Sequence, residues 1–351
     1  MAAFTSRGAS LQVLVNGVRT DRLLHASIVN SNCFSSDHYA VTLAVNMATS
    51  DEISFWSSLS TGFVEIDLVD NSSTSQPLIS GLIDSMAIDP IRSTVAIEGR
   101  DLSSILIDSY RQQDFVNQTA SEVVSAVAQQ HGLTPVVTPT LGSVGRYYGD
   151  GFTRLSLGLY SRLRSDWDLV VQLARENSFD VFVQANNLVF QPSESGNDVP
   201  VYIPREGVTA MRFEKSLAIP PNATASVQSW NSRDKTSYSS DSSSSLPDPT
   251  QLDGTNVQSA SPQSLQPFLF SAANFTSEQV VNCASRFAAE LNRLGVTAIL
   301  EMPWDLSLSP RTTIFLGDTG SALDGAYKID SIERHFSTTS GSNQVIRAVA
   351  A

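Results

Sequence analysis

Cysteine is nearly missing from this chain: Cys33 and Cys283 are the only two among 351 residues. They lie far apart, with no CxxC or Cys/His spacing, which argues against a disulfide framework or a structural zinc site. Both thiols read as small buried hydrophobes. The four histidines, His25, His38, His131 and His335, are equally dispersed and form no HExxH pair. Positive charge is scarce too, with 22 Lys and Arg against 35 Asp and Glu and a formal net charge of -13. Tight nucleic-acid binding needs clustered cations to displace counterions from phosphates, and here the basic residues occur only as scattered pairs. The excess acidity reads first as a contribution to solubility. No stretch approaches the ~18 consecutive apolar residues of a membrane span. Met1 to Gly17 has no apolar core before Gln12, so no signal peptide is expected there and the chain is expected to be made in a cytoplasm. No GxGxxG or Walker loop occurs, and Gly145 to Gly151 is a loop without a following Lys-Ser/Thr. No metal and no cofactor is expected.

What remains is an apolar fraction of 41%, enough for several cores in a chain longer than one core usually organises. The first hundred residues read as β-strands. Leu11 to Val15 runs into Asn16-Gly17, the strongest two-residue hairpin signal, and a partner strand can follow from Val18. Tyr39 to Val45 and Phe63 to Val69 alternate apolar and polar residues, and Leu78 to Ile88 and Thr94 to Glu98 continue the pattern. Strands at this spacing suggest a barrel or sandwich.

The middle changes character. Thr119-Ala-Ser-Glu122 is a capping box opening a helix with Val123, Val127 and Gln130 in step, stopped by Gly132. Ser165-Asp-Trp-Asp168 is a second box, with Trp167, Val170, Val171 and Ala174 on one helix face. A hairpin of Phe179 to Val183 and Leu188 to Phe190 across Asn186-Asn187 follows. Ala210 to Phe213 and Ala225 to Ser229 look like strands whose partners lie later in the chain. Ser232 to Gln266 is rich in Ser, Asp, Pro, Thr and Gln, cannot bury a core, and is expected to be a loop or linker. Thr276 with Gln279 then opens a helix whose stripe is Val280, Ala284, Phe287, Leu291 and Leu294, ended by Gly295. Strands return at Thr312 to Leu316, Tyr327 to Arg334 and Asn343 to Val349.

One motif tempts a catalytic reading. Asp318-Thr-Gly-Ser321 spells the D-T-G-S of aspartic proteases after an apolar strand. That chemistry needs two carboxylates in contact sharing one proton, and no second D-T/S-G occurs in the chain. A homodimeric aspartic protease using Asp318 is therefore the alternative reading. The simpler one is a hairpin turn formed by Gly317, Asp318 and Gly320. The same residues resemble the GDSGG of trypsin-like enzymes only loosely, because Thr319 stands where the nucleophilic Ser would be. The pairs Asp166/Asp168 and Asp51/Glu52 are explained as helix N-terminal and surface charges. A carbohydrate-binding module presenting Trp56, Tyr147 and Tyr148 is a third reading, weighed against the tendency of aromatics in β proteins to sit in the core. No catalytic residue is assigned.

Several stretches, in order along nearly the whole chain, resemble the late control D family of phage baseplate hub proteins. That family is similar to the hub portion of VgrG spike proteins of type VI secretion. Val13-Leu-Val-Asn-Gly17 and Gly99-Arg-Asp-Leu102 look like its first β domain. Ser165 to Asn177 followed by Phe179 to Val183 is the most specific match. Val227 to Asn231 with Lys235, then Gly317 to Ser321, Leu323 to Asp330 and Arg334 to Ser337, resemble the later strands and the closing hairpin. Ser178 departs from the family, which has Gly there, and the Ser-rich segment has no counterpart. The resemblance implies a β-rich α+β protein with two similar antiparallel β-barrel tube domains and an inserted α+β domain. The expected boundaries are 1–110 for the first tube domain, 111–199 for the insertion, 200–231 and 296–351 for the second tube domain, and 232–295 for a linker and helix belonging to the insertion. It implies a non-enzymatic homotrimer that adapts a six-fold tail tube to a three-fold spike. The implied partners are a separate spike protein, a tail tube or distal tail protein, a tape measure protein and other baseplate proteins. DNA would pass only in transit, without stable membrane insertion, in a virion assembled in the host cytoplasm.

Overall fold

The computed structural model describes residues 10–20, 22–46, 49–69, 75–110, 114–148, 154–157, 165–193, 199–216, 224–243, 268–293, 295–321, 323–339 and 341–350. The first region comprises β1 (Ser10–Val15), β2 (Val18–Thr20), β3 (Leu23–Ser31), β4 (His38–Ala44), α1 (Ser50–Ser58), β5 (Phe63–Val69), β6 (Ser75–Asp89) and β7 (Thr94–Asp101). Asn16 and Gly17 have φ of 50° and 77°, so both central residues of the β1–β2 turn are left-handed, as the Asn-Gly signal requires. Alternation sets the core. Val13 and Val15 of β1, Ala26 and Ile28 of β3, Tyr39, Val41 and Leu43 of β4, Val64 and Ile66 of β5, and Val95 and Ile97 of β7 are buried together. Each such aliphatic side chain contributes about 1.5–3 kcal/mol on burial.

The middle region holds α2 (Ser103–Ile107), β8 (Phe115–Val116), α3 (Ala120–Gln130), β9 (Thr134–Val137), β10 (Arg146–Tyr148), β11 (Arg154–Leu157), α4 (Asp166–Asn177), β12 (Phe179–Gln184) and β13 (Asn187–Pro192). Both expected capping boxes form, Thr119 with Glu122 and Ser165 with Asp168. Gly132, just beyond α3, takes φ 72°. Ser178 ends α4 at φ 56°, the left-handed conformation for which glycine is better suited. The β12–β13 turn falls on Ala185 and Asn186, one residue earlier than expected, because Gln184 pairs with Asn187 and Ala185 takes φ 50°. A second core joins α2, α3 and α4 to the three-stranded sheet β12-β13-β9.

The remainder comprises β14 (Val201–Ile203), β15 (Ala210–Lys215), β16 (Thr224–Asn231), β17 (Thr236–Ser243), β18 (Phe268–Ala273), α5 (Ser277–Arg293), β19 (Val296–Met302), β20 (Thr313–Leu316), β21 (Gly325–Ser337) and β22 (Gly341–Ala350). Thr276 and Gln279 cap α5 reciprocally, at 2.9 and 3.3 Å. Val280, Ala284 and Leu291 are buried as expected; Leu294 lies outside the described residues. Two expectations change. Thr236–Ser243, inside the presumed Ser-rich loop, is a strand: it pairs along all of β16, and Tyr238 packs against the small core that Val227 and Phe275 share with α5. Backbone pairing and one aromatic anchor suffice where the side chains are too small to signal a strand. β16 in turn does not join strands that follow α5. It is the centre of a separate sheet, β17-β16-β18, covered by α5.

The two outer β regions share one sheet. Its path is β15-β19-β22-β21-β3-β4-β7-β6-β5-β1-β2, antiparallel at every step, with β14 and β20 branching from β21. The join is β21 on β3, where Ser331 to Ser337 pair with Ser31 back to His25. Among the described residues the path runs from β15 to β2 without closing into a ring. The fold is α+β and β-rich, built around this large antiparallel sheet.

Candidate functional site

The residues that chemistry would single out are not brought together. Asp318 lies in the exposed turn between β20 and β21, with φ 63°, and Gly320 follows at φ 68°. Its Oδ2 accepts the Tyr202 hydroxyl at 2.5 Å, while Thr319 donates through its amide (3.3 Å) and its hydroxyl to Asp324 Oδ1. A phenol rather than a second carboxyl engages the carboxylate, so one chain does not assemble the proton-sharing pair of an aspartic protease. The Tyr202 phenol is held above its usual range, first by that hydrogen bond to Asp318.

Trp56, read as an exposed aromatic, is instead buried at 4% exposure, edge-on to Phe55 at 5.1 Å; Ile53, Phe55 and Trp56 share the short helix α1, which the strand-like reading of this region missed. The side chains of Tyr147 and Tyr148 lie outside the described residues. Among the described residues no group of three His, Cys, Asp or Glu side chains is placed to hold a metal. Burial pushes the Cys33 thiol up to about 12 and the Cys283 thiol up to about 11, which suppresses their thiolate chemistry. The paired acids have structural roles. Asp168 completes the α4 capping box, Asp166 meets His131 at 2.7 Å, and Glu52 meets Arg22 at 3.3 Å.

The structure does build one dense polar site, in a loop that no local pattern announced. Residues 32–37 connect β3 to β4 and reach every part of the chain. Phe34 takes φ 65°, costly for an aromatic residue and tolerated only where surroundings dictate it. Its amide donates to Val181 O (3.1 Å), and its carbonyl accepts Trp167 Nε1 (3.4 Å). Its ring lies beneath two guanidinium groups, Arg175 of α4 at 5.2 Å and Arg286 of α5 at 4.9 Å. Arg286 also donates to Phe179 O at 2.7 Å. Asn32 donates its amide to Asp330 O of β21 (2.8 Å) and accepts Arg311 at its carbonyl, while Arg311 stacks on Phe182 at 3.6 Å.

Asp37 closes the loop. Its two oxygens accept Ser31 N (2.7 Å) and Asn30 Nδ2 (2.9 Å), and Asn30 Oδ1 accepts Arg334 Nη1 (2.9 Å). Arg334 is 5% exposed and also donates to Leu308 O at 2.8 Å. Burial raises the Asp37 carboxyl and lowers the Arg334 guanidinium to about 10. Asp101 stands beside them, accepting Ser36 Oγ (2.7 Å) and Ser103 Oγ (2.5 Å); burial, then the nearby Asp37 charge, raises it to about 6. The Gly99-Arg-Asp-Leu102 motif is explained here as well. A Cβ on Gly99 would collide with Leu82 O and the Tyr39 ring, and Arg100 bridges Asp84 and Asp108 at 2.6 and 2.7 Å. Such a site holds the loop in place against α4, α5 and β21.

Neither a family model nor a curated protein sequence matches the chain. Solved structures do. A tail protein from Neisseria meningitidis MC58 superposes with a TM-score of 0.69 at 13% identity, over 98% of this chain and 96% of its own. The 43 kDa tail protein of prophage MuSo2 from Shewanella oneidensis gives 0.67 at 15% identity, over 98% of each. An E. coli component of the type VI secretion system, described as structurally similar to the T4 tail proteins gp27 and gp5, gives 0.57 at 11% identity over 97% of this chain and 76% of its own. With its long antiparallel sheet and its middle α+β layer matched end to end, this chain has the fold of phage tail proteins and of the type VI secretion component that resembles them.

Proposed function

We propose that the chain is a hub subunit of a phage tail baseplate, working by the geometry of its interfaces and not by catalysis. Three copies form a ring. Each contributes a first tube domain from 1–110 and a second from 200–231 with 296–351, built on β14, β15 and β19 to β22. Residues 111–199 and 232–295 form the inserted part, and β16, at the end of 200–231, belongs with it through the sheet β17-β16-β18 under α5. Each tube domain completes a barrel with its neighbours in the ring. Two such domains per copy offer six similar units to a six-fold tail tube and three chains to a three-fold spike. The expected partners are the spike, the tail tube or distal tail protein, the tape measure protein and other baseplate proteins, in a virion assembled in the host cytoplasm.

The observation that carries this reading is the β3–β21 join, which welds two β regions, distant in sequence, into one wall. Among the described residues the sheet ends at β15 and β2, edges that neighbours in the ring would cover. The face of the wall opposite the core supports a channel role. Glu98, Ala40, Ser27 and His335 stand side by side across β7, β4, β3 and β21. Glu65, Asp67, Glu301 and Glu333 add acidic charge to the same sheet, which also carries Arg19, Arg212 and Arg347; a wall acidic in balance would let DNA slide without sticking. Light scattering on the full chain, alone and with its spike, is the test. A trimer under either condition is expected; a stable monomer with measurable hydrolytic turnover would falsify the reading. A ring whose lumen maps as neutral or basic by cryo-electron microscopy removes the channel part.

A further inference from the structure

The D-T-G-S turn has no role in the hub reading, yet it borders an exposed aromatic pair on β20 and β14, the latter an edge strand among the described residues. Tyr202 of β14 and Phe315 of β20 are register partners, with ring centroids 6.2 Å apart and planes 25° from parallel. They are 52% and 40% exposed. Ala326 of β21, the next register partner of Phe315, extends the exposed row. Ile203, Ile314, Leu316 and Tyr327 fill the core from the same strands, so packing does not explain the row. β14 pairs only with β20 among the described residues, which leaves its other backbone edge open. Carboxylates rim the aromatics. Asp318 accepts the Tyr202 hydroxyl, and the charges of Glu206 and Asp324 act on that same phenol.

We propose that the Tyr202–Phe315 row and the open edge of β14 form a docking surface for an extended, Arg- or Lys-bearing segment of another protein. A strand added to the edge gains main-chain hydrogen bonds. A guanidinium or ammonium on it lies over the aromatic faces while Asp318 and Asp324 neutralise it. A second copy meeting this surface with the same surface is the poorer occupant, because Glu206, Asp318 and Asp324 would then face their like. The surface stands independently of the hub assignment.

The test uses the full chain and a fluorescein-labelled nonapeptide of alternating Arg and Val, with a Glu-for-Arg peptide as control. Anisotropy should show binding of the Arg peptide alone. Tyr202→Ala should weaken it about tenfold, the loss typical of an aromatic anchor. Asp318→Asn should weaken it severalfold, whereas Asp241→Asn, an equal charge change on exposed β17, should leave it unchanged. Hydrogen exchange should slow at Val201–Ile203 when the peptide is bound. Equal losses from Asp318→Asn and Asp241→Asn would reduce the effect to general acidity and overturn the proposal. Binding of the Glu peptide, or protection elsewhere than β14, overturns it too. If Tyr202→Ala instead lowers the oligomer mass, the surface serves copies of this chain and the proposed partner is wrong.

Discussion

Replacing Arg334 by Met removes the one buried cation that ties β21 to the Asn30–Asp37 pair, and its cost can be worked out. The guanidinium makes two hydrogen bonds, to Asn30 Oδ1 at 2.9 Å and to Leu308 O at 2.8 Å. Hydrogen bonds from a charged donor contribute about 1.5–3 kcal/mol each. Met recovers part of this by filling the same volume, but it takes from the raised Asp37 carboxyl one of the two cations that act on it, Arg311 being the other. The two lost hydrogen bonds, less the packing that Met restores, set the loss at about 3–4 kcal/mol. That is a large share of the roughly 5–15 kcal/mol that stabilises a folded domain. The loss should be local. Hydrogen exchange in peptides covering 23–31 and 325–337 should accelerate by two to three orders of magnitude, the factor that about 3–4 kcal/mol implies. Peptides from α3, which lies in a different core, should not change. Adding Asp37→Asn to Arg334→Met should recover part of the loss, since the buried carboxylate, left with Arg311 alone, is then neutral. A single variant with unchanged exchange at β3 and β21, or one that speeds α3 equally, refutes the claim that this cation holds the seam.

The pH dependence follows from Asp101. Its folded value of about 6 lies above the ordinary 3.8, so the folded state holds the proton more tightly. Its contribution is therefore present at low pH and is lost as pH rises from about 4 to about 6. Roughly 3 kcal/mol should disappear across that window; burial also raises Asp37 and Glu176, so Asp101→Asn should make the curve of urea midpoint against pH shallower without levelling it. Gly99→Ala should cost several kcal/mol or abolish soluble expression, because backbone at Leu82 cannot retreat from the new methyl; a thermal midpoint within 2 °C of the parent, about 1 kcal/mol or less, would contradict this. Thr119→Ala removes the α3 cap and should lower stability by about 1 kcal/mol, read as a shift in urea midpoint without a change in slope. Neither Cys33 nor Cys283 should react with a disulfide reagent at pH 8 until denaturant is added, since burial holds both thiols protonated.

Much of the fold was legible because its signals are local. Asn16-Gly17 specifies a left-handed turn by its two residue types, and the capping boxes at Thr119, Ser165 and Thr276 are satisfied by residues three positions on. The strand Thr236–Ser243 was not legible, since serine advertises no strand and the pairing partner β16 supplies the order. Trp56 was misjudged because its burial depends on a helix with little periodicity of its own. The polar site at residues 32–37 was invisible for a deeper reason. Phe34 lies 133 positions from Trp167, and Asn30 lies 304 from Arg334, so no window of sequence contains both halves of the contacts that tie the loop to the rest of the chain. Asp318 shows the reverse error to avoid: a memorable tetrapeptide whose immediate neighbours make it a turn.

The late arrival of β21 has a consequence for how the protein is made. Ser27 and Glu333, which meet across the sheet, are 306 positions apart. At the ribosome's pace of about 5–20 residues per second, β3 emerges roughly 15–60 s before its permanent neighbour. During synthesis one flank of the nascent amino-terminal half is therefore adhesive, and neighbouring nascent chains on a polysome compete for it. Holdase binding to that flank, or translation slow enough to space the ribosomes, should set the yield of native subunit more than the stability of the finished product does.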